Sequence, residues 1–261
     1  HDQKSMAAFL LYNKDGDLEN AFLASQLIWL LNINATPTYS ITPHHAAFGD
    51  TIYLIMSQFL ANNVGIDHKK YLDYLKKKPV KKTEVFKDEN DQNDLMRMVL
   101  PGYVSGKSKL RNGNKIESVT PVALGLRNWT LKALLRSDMS DKTKSNLTSV
   151  LNRLYVTAVN TGQSPEDRAL NYSLYNIIEI TEILKLTAKE GKQFYSQKVV
   201  PSKLVRQNSE IREVQLTFFN PKDTTEAAIT YAMQVDVSGV TPIMIGERQS
   251  WETPINVSAP Q

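Results

Sequence analysis

Apolar and polar residues alternate along two segments in the last third of the chain. In the first segment, Val214, Leu216 and Phe218 alternate with three polar residues. The same period of two recurs in the second segment, at Ile229, Tyr231, Met233, Val235 and Val237. This period is that of a β-strand with one buried face. Because the turn-forming residues 220–223 separate the segments, the pattern predicts an antiparallel hairpin, joined by a strand at about 195–205.

Apolar residues at three- and four-residue spacing predict helices elsewhere. The strongest start is Ser164-Pro165-Glu166-Asp167, which offers an N-cap serine, proline at the first helical position and carboxylates in the first turn. This helix is predicted to run to Lys189 and to end at Gly191. Further helices are predicted over about 17–32, from about 50, over 128–135 and from 142.

Short runs rich in β-branched and aromatic residues predict strands in the first half of the chain. They cover residues 7–12, 36–43, 95–104 and 118–124, with turns at 105–107 and 111–114. The prolines that bracket 36–43 favour an edge strand there. Together the elements predict an α+β fold, with a mixed or antiparallel sheet and a C-terminal β-hairpin packed on several helices.

The length of 261 residues fits one domain over 1–261, interrupted by a charged linker or loop at about 76–94. Net charge is +4 and the isoelectric point is near 9.0. Eight lysines between Lys69 and Lys87 are followed at once by four acidic residues, with few aromatics or arginines. This composition favours a solvated linker over a nucleic-acid surface.

Cysteine is absent, which excludes disulfides and thiolate metal sites. His44 and His45, with Asp50 and His68, are the one conceivable metal cluster, but adjacent histidines in an extended loop point apart. We therefore expect neither a metal nor a cofactor. The longest apolar stretch, Ala21–Ile33, is too short to cross a bilayer, and the start lacks a secretory pattern, so a cytoplasmic location is predicted.

No catalytic template fits the chain, because phosphate-binding glycine loops, a serine elbow and a His-x-x-x-His helix are missing. The helix that starts at Ser164 is more informative. One side carries leucines and isoleucines, and the other carries the candidate binding residues Arg168, Asn171, Tyr172 and Tyr175. Tyrosine and arginine are enriched at interfaces, so this side is predicted to meet a protein, a peptide or a second copy. Trp251 is interpreted as part of a C-terminal tail.

Three segments carry a family resemblance. They are Ala24-Ser25-Gln26-Leu27-Ile28-Trp29-Leu30-Leu31, then Gly162-Gln163-Ser164-Pro165-Glu166-Asp167-Arg168-Ala169-Leu170-Asn171-Tyr172, then Pro201-Ser202-Lys203-Leu204 with Val235-Asp236-Val237. In this order they resemble the C-terminal domain of unknown function of the cyanobactin maturation proteases and macrocyclases (PatG/PatA type). The chain departs from that family in its expanded 76–94 segment and in the loop Lys109–Lys115, where a cysteine of the family is absent.

The resemblance implies a noncatalytic accessory domain that works beside subtilisin-like proteases and macrocyclases on ribosomally made peptides. Its partner would be a modifying enzyme, a precursor peptide or a second copy. Nucleic acid and membrane are not expected partners. Two alternatives remain open: an unrecognised enzyme with a pocket near Arg168 or His44/His45, and a structural dimerisation domain in which Arg168 and Asn171 hold the helix start to a neighbouring loop.

Overall fold

Two units divide the chain, residues 1–133 and residues 134–261. The structure is a computed structural model, and it describes residues 6–7, 9–10, 21–33, 36–43, 49–63, 68–79, 96–122, 126–130, 139–141, 144–145, 147–148 and 160–254. The predicted single domain over 1–261 stays a prediction, since two units of one chain can belong to one domain.

The first unit contains a four-stranded mixed sheet and a separate two-stranded one. Its elements are a 3₁₀ helix Ala21–Gln26, β1 Trp29–Ile33, β2 Thr36–Ile41, α1 Gly49–Asn63, α2 His68–Leu75, β3 Met96–Val99, β4 Gly102–Lys109, β5 Lys115–Pro121 and β6 Arg127–Thr130. The larger sheet has the order β1-β2-β5-β4, in which β2 and β5 run parallel and the other pairs antiparallel. β3 pairs with β6.

Aliphatic side chains from a strand, a helix and a loop form the core of the first unit. Ile41 of β2 packs with Ile52 and Met56 of α1 and with Leu126, and each is less than a tenth exposed. The amphipathic spacing that predicted a helix from about residue 50 is therefore confirmed.

Several predictions for the first unit are wrong, and they share a cause. Among residues 7–12, the described Ala7, Phe9 and Leu10 are helical and not extended. A helix was predicted over 17–32, but residues 29–33 form the strand β1. Another was predicted over 128–135, but residues 128–130 belong to the strand β6. Short apolar runs satisfy both periods, so their pairing partners decide between helix and strand.

Two predictions about strand edges and turns are also wrong. The segment 36–43 is not an edge strand, because β2 lies between β1 and β5. Pro37 lies opposite Asn32, directly beside the shift in the β1–β2 register between Leu31 and Asn32, and such an irregularity can accommodate a proline. Residues 105–107 lie inside β4, which holds a second register shift between Val104 and Gly106. The segment 95–104 is divided between β3 and β4, whereas the turn at 111–114 is confirmed.

The second unit consists of a helix pair and an antiparallel sheet. It contains α3 Pro165–Tyr175, α4 Ile177–Lys189, β7 Gln193–Pro201, β8 Ile211–Phe219, β9 Ala228–Asp236 and β10 Ile243–Thr253. The strand order is β10-β9-β8-β7, and every neighbouring pair is antiparallel. Ahead of α3, the described residues from Asp141 to Thr148 are helical, which fits the helix predicted from 142.

The predicted start and stop of the long helix are both confirmed, but the helix is broken in the middle. The Ser164 hydroxyl accepts a hydrogen bond from the Asp167 N–H at 3.0 Å, and Pro165 is the first helical residue. Gly191 follows α4 with a φ of 74°, which glycine adopts without strain. Asn176, with a ψ of 72°, separates α3 from α4.

The predicted hairpin is β8–β9, and its apolar positions are buried. Val214, Leu216 and Phe218 are each no more than 1% exposed, and Met233 and Val235 lie opposite or beside them. α3 packs on β7, β8 and β9. The α+β class, with a C-terminal hairpin, is therefore confirmed. β10 was not predicted: Trp251 lies in this strand, opposite Thr230, and not in a tail.

In the described part of the chain, no helix combines the length and apolar character needed to cross a membrane.

Candidate functional site

Arg168, near the start of α3, is bound to the loop between β9 and β10. Its Nη1 donates a hydrogen bond to the Val237 carbonyl at 2.6 Å, and its Nη2 donates to the carbonyls of Gly239 and, at 3.3 Å, Val240. A planar guanidinium supplies several donors in a fixed geometry, so one side chain can hold three carbonyls of the same loop. The conformation of the loop thus depends on a residue about 70 positions earlier in the sequence.

Asn171 pairs with the loop that precedes α3. Its Nδ2 donates to the Asn160 Oδ1 at 2.8 Å, and the Asn160 Nδ2 donates back to the Asn171 Oδ1 at 3.1 Å. The Asn160 Oδ1 also accepts from the Gly162 N–H at 3.0 Å. This reciprocal amide pair fixes the direction in which the chain enters the helix.

Tyr172 and the helix break both face the start of β10. The Tyr172 hydroxyl accepts a hydrogen bond from the Met244 N–H at 3.2 Å, and the Asn176 Nδ2 approaches the Met244 Sδ at 3.6 Å. Arg168 and Tyr172 therefore lie against one continuous segment, residues 237–244. The side chain of Tyr175 and both histidines, His44 and His45, lie outside what the structure describes.

The contact between the helices and β10 continues along α4. Arg248 donates to the Glu179 Oε2 at 2.9 Å, lies 3.6 Å from the Glu182 Oε2, and its guanidinium stands 5.6 Å from the Tyr231 ring centre. Arg248 was not identified from the sequence, and its two glutamate partners were not among the candidate binding residues. The apolar residues Ile243 and Ile245 were a local sign of β10. The pattern was too weak because Pro242 precedes the strand and Gly246 interrupts it.

The polar side predicted for binding is thus occupied, where described, by bonds within the second unit. Glu166, at the helix start, pairs with the Arg212 Nε at 2.8 Å. Hydrogen bonding by its own backbone N–H and by Arg212 lowers the pKa of Glu166. The prediction that Arg168, Asn171, Tyr172 and Tyr175 contact another molecule stays a prediction, and the structure gives the first three an internal role.

The loops at one end of the sheet expose apolar side chains. We call this surface the loop end, and it comprises residues 202–210, between β7 and β8, and residues 237–243, which are the loop after β9 and the first residue of β10. The two loops are joined by hydrogen bonds from the Glu210 N–H to the Ser238 hydroxyl, at 2.6 Å, and from the Val237 N–H to the Glu210 carbonyl, at 2.9 Å. The exposed apolar residues are Leu204 at 49%, Val205 at 93%, Val240 at 42% and Ile243 at 54%.

A carboxylate next to the loop end, at the last residue of β9, makes the stability of the loop end depend on pH. Hydrogen bonds from the Ser238 hydroxyl, at 2.6 Å, and from its N–H, at 2.9 Å, lower the pKa of Asp236. A lowered pKa in the folded state adds stability that is fully present above the unfolded-state pKa of about 3.9 and is lost as pH falls through the folded-state pKa.

We therefore expect that Asp236→Asn unfolds more readily than the wild type near neutral pH, and that this difference shrinks towards zero in strong acid. Urea unfolding at a series of pH values, followed by hydrogen exchange of peptides from 160–254, measures the difference. A difference that stays constant down to about pH 2 would contradict the role given to Asp236.

Comparisons with known proteins agree with the family resemblance. Residues 137–251 match the family model described as "PatG C-terminal". A solved structure described as "PatG Domain of Unknown Function" is similar to the chain at 25% identity and a TM-score of 0.75, covering 96% of this chain and 88% of that chain. No curated protein sequence matches. The similar structure spans both units, whereas the family match lies within the second.

Proposed function

We propose that the chain, whose residues 137–251 match the family model described as "PatG C-terminal", is a noncatalytic docking domain in the maturation of ribosomally made peptides. Its partner is a subtilisin-like protease or macrocyclase, and the partner binds the loop end. Arg168 and Tyr172 serve this binding by holding the backbone of residues 237–244, which carries the exposed side chains of Val240 and Ile243.

The observation that carries the proposal is the triple hydrogen bond of Arg168. A loop whose carbonyls are held by a charged donor loses little conformational freedom when a partner binds, and such preorganisation raises affinity. The residues that this loop presents, Val240 and Ile243, are apolar and exposed, although burial would stabilise the isolated domain. Clustered exposed apolar side chains are typical of interaction surfaces.

The charges around Arg168 support docking over catalysis. Its described hydrogen-bond partners are neutral backbone carbonyls, and Glu166, a carboxylate at the helix start, is paired with Arg212. A catalytic arginine would instead face a substrate cavity that its side chain helps to line. The cleft formed by Glu190, Lys192, Glu226 and Glu252 is likewise occupied by its own charges, because Lys192 bridges Glu190 at 3.2 Å and Glu226 at 3.0 Å.

Titration of the full chain with a PatG-type subtilisin-like protease domain, by calorimetry, tests the proposal. We expect Val240→Ser/Ile243→Ser to weaken binding by at least about tenfold, since each loss of apolar contact costs about 1 kcal/mol. Arg168→Ala/Tyr172→Ala should weaken binding as well, because the loop is then released.

Leu186→Ser is the matched control. Leu186 lies on α4 and is 42% exposed, equal to Val240, but it lies outside the loop end. It should leave the affinity unchanged. Equal affinity of the wild type and Val240→Ser/Ile243→Ser would reject the proposal, and so would saturable self-association in sedimentation velocity without binding to the protease domain.

A further inference from the structure

The hairpin of β4 and β5, in the first unit, is strongly basic. Between Gly102 and Pro121 it contains four cationic side chains, Lys107, Lys109, Arg111 and Lys115, and one acidic side chain, Glu117. All four cationic residues are exposed. The ion pairs found in the described part of the chain include none of the four.

The strand register places several of these cationic side chains close together. Lys109 lies directly opposite Lys115, while Lys107 lies opposite Glu117. Directly opposed residues share a face of the sheet, so these three lysines project from one face. Like charges in opposed positions destabilise a strand pair, which leaves the hairpin with a repulsion that a bound anionic group would remove.

The hairpin is held rigidly from its other face. The Ser40, Ser108 and Ser118 hydroxyls form a triangle, with Ser40–Ser108 at 2.8 Å and the other two distances at 2.6 Å. Ser40 and Ser118 are buried. A closed network of this kind fixes the register of β2, β5 and β4, so the lysines are in place before any ligand arrives.

β4 is also an edge strand, and side chains along it are open to solvent. Among the strands of the described part of the chain it ends the order β1-β2-β5-β4, and Tyr103 and Val104 are 49% and 53% exposed. An edge strand presents unpaired backbone N–H and C=O groups, which an extended peptide can pair with as an added strand.

We propose that this edge binds an extended acidic peptide segment, which adds to the sheet beside β4. Backbone hydrogen bonds to the edge supply the pairing. Acidic side chains at every second position of the peptide then lie on the face of Lys107 and Lys109. A nucleic acid has no amide backbone to pair with the edge, and the hairpin offers one arginine and one tyrosine for phosphate and base contacts, so an edge strand favours a peptide. This proposal does not depend on the loop end.

The test is fluorescence anisotropy of labelled peptides with the full chain at low salt. The first probe is a ten-residue peptide in which glutamate alternates with threonine, and the second has the same composition with its glutamates consecutive. We expect the alternating peptide to bind at least about fivefold tighter, because only its acidic side chains fall on one face of an added strand.

Two variants separate charge at the hairpin from charge in general. Lys107→Gln/Lys109→Gln should weaken binding of the alternating peptide about tenfold, at roughly 0.7 kcal/mol for each exposed pair. Lys185→Gln/Lys189→Gln removes the same charge from exposed positions of α4 and should change the affinity less than about twofold. Circular dichroism of both variants verifies that the fold is intact.

N-methylated peptides test the strand addition itself. In an added strand, every second N–H of the peptide points towards β4. Methylation of the nitrogens that point towards β4 should therefore abolish binding, whereas methylation of the alternate nitrogens should leave the affinity unchanged. Equal binding by both peptide isomers, or equal competition by a single-stranded oligonucleotide, would replace the proposal with a nonspecific polyanion surface. Absence of binding would overturn it as well, and would mean that the lysines only keep the edge from pairing.

Discussion

Arg168→Ala is expected to lower the free energy of unfolding of the second unit by about 2 kcal/mol, since hydrogen bonds to a charged group are worth roughly 1.5–3 kcal/mol where they are partly buried. The part-buried bond to the Val237 carbonyl supplies most of this loss, because those to Gly239 and Val240 are exposed to water. Urea unfolding measures the total. Hydrogen exchange should show faster exchange of the amides of Val237 and Met244, whose bonds fix the same segment.

Two further variants define what Arg168 contributes. Arg168→Lys retains the charge but replaces a fork of donors by a single ammonium, so it should recover less than half of the loss. Arg206→Ala removes an exposed arginine from the other loop of the loop end and should change stability by no more than about 0.5 kcal/mol. If Arg168→Ala and Arg206→Ala unfold alike, the hydrogen bonds of Arg168 do not hold the loop.

Phe218→Ala is expected to lower the free energy of unfolding by about 4 kcal/mol, because it removes a fully buried aromatic side chain and leaves a cavity. Phe218 is 1% exposed and packs edge-to-face on Phe194, with ring centres 5.7 Å apart, and on Tyr231, at 6.0 Å. Loss of these two aromatic pairs adds to the loss of apolar burial. Urea unfolding, followed by hydrogen exchange of peptides from 160–254, measures this loss of free energy.

The adjacent Phe219 is a matched control of the same residue type. It points to the opposite face of β8, is partly exposed, and contacts Tyr195 with ring centres 5.6 Å apart. Phe219→Ala should cost only about 1–2 kcal/mol, in proportion to the smaller area that it buries. Equal losses at the two positions would contradict the strand register on which the description of the core depends.

Prediction from sequence succeeded where the signal was local and repeated. The alternation around Val214 and Met233 identified both strands of the β8–β9 hairpin and their buried face. The start at Ser164 was identified because a cap, a proline and two carboxylates each favour the same boundary. The family resemblance, found at the same helix start, is supported by the match over residues 137–251.

Prediction failed where one short segment had to be assigned alone. Residues 29–33 are apolar enough for a helix, but pairing with β2 makes them a strand. At the turn between the 3₁₀ helix and β1, the Trp29 indole N–H donates a hydrogen bond to the Ala24 carbonyl at 2.9 Å. β10 contains a glycine at a φ of 68° and a register shift between Ile245 and Gln249, which together hide the alternation of a strand.

The sequence by itself determined the α+β class, the helix that begins at Ser164, and the polar character of one side of that helix. Only the tertiary structure decided what that polar side does, because Arg168, Tyr172 and Glu179 bond to residues about 70 positions later. Periodicity and capping depend on neighbours within a few residues, whereas the partner of a polar group depends on which strand is packed against its helix. For that reason Arg168 and Tyr172 were identified as functional candidates from sequence, while the exposed loop that Arg168 holds was not.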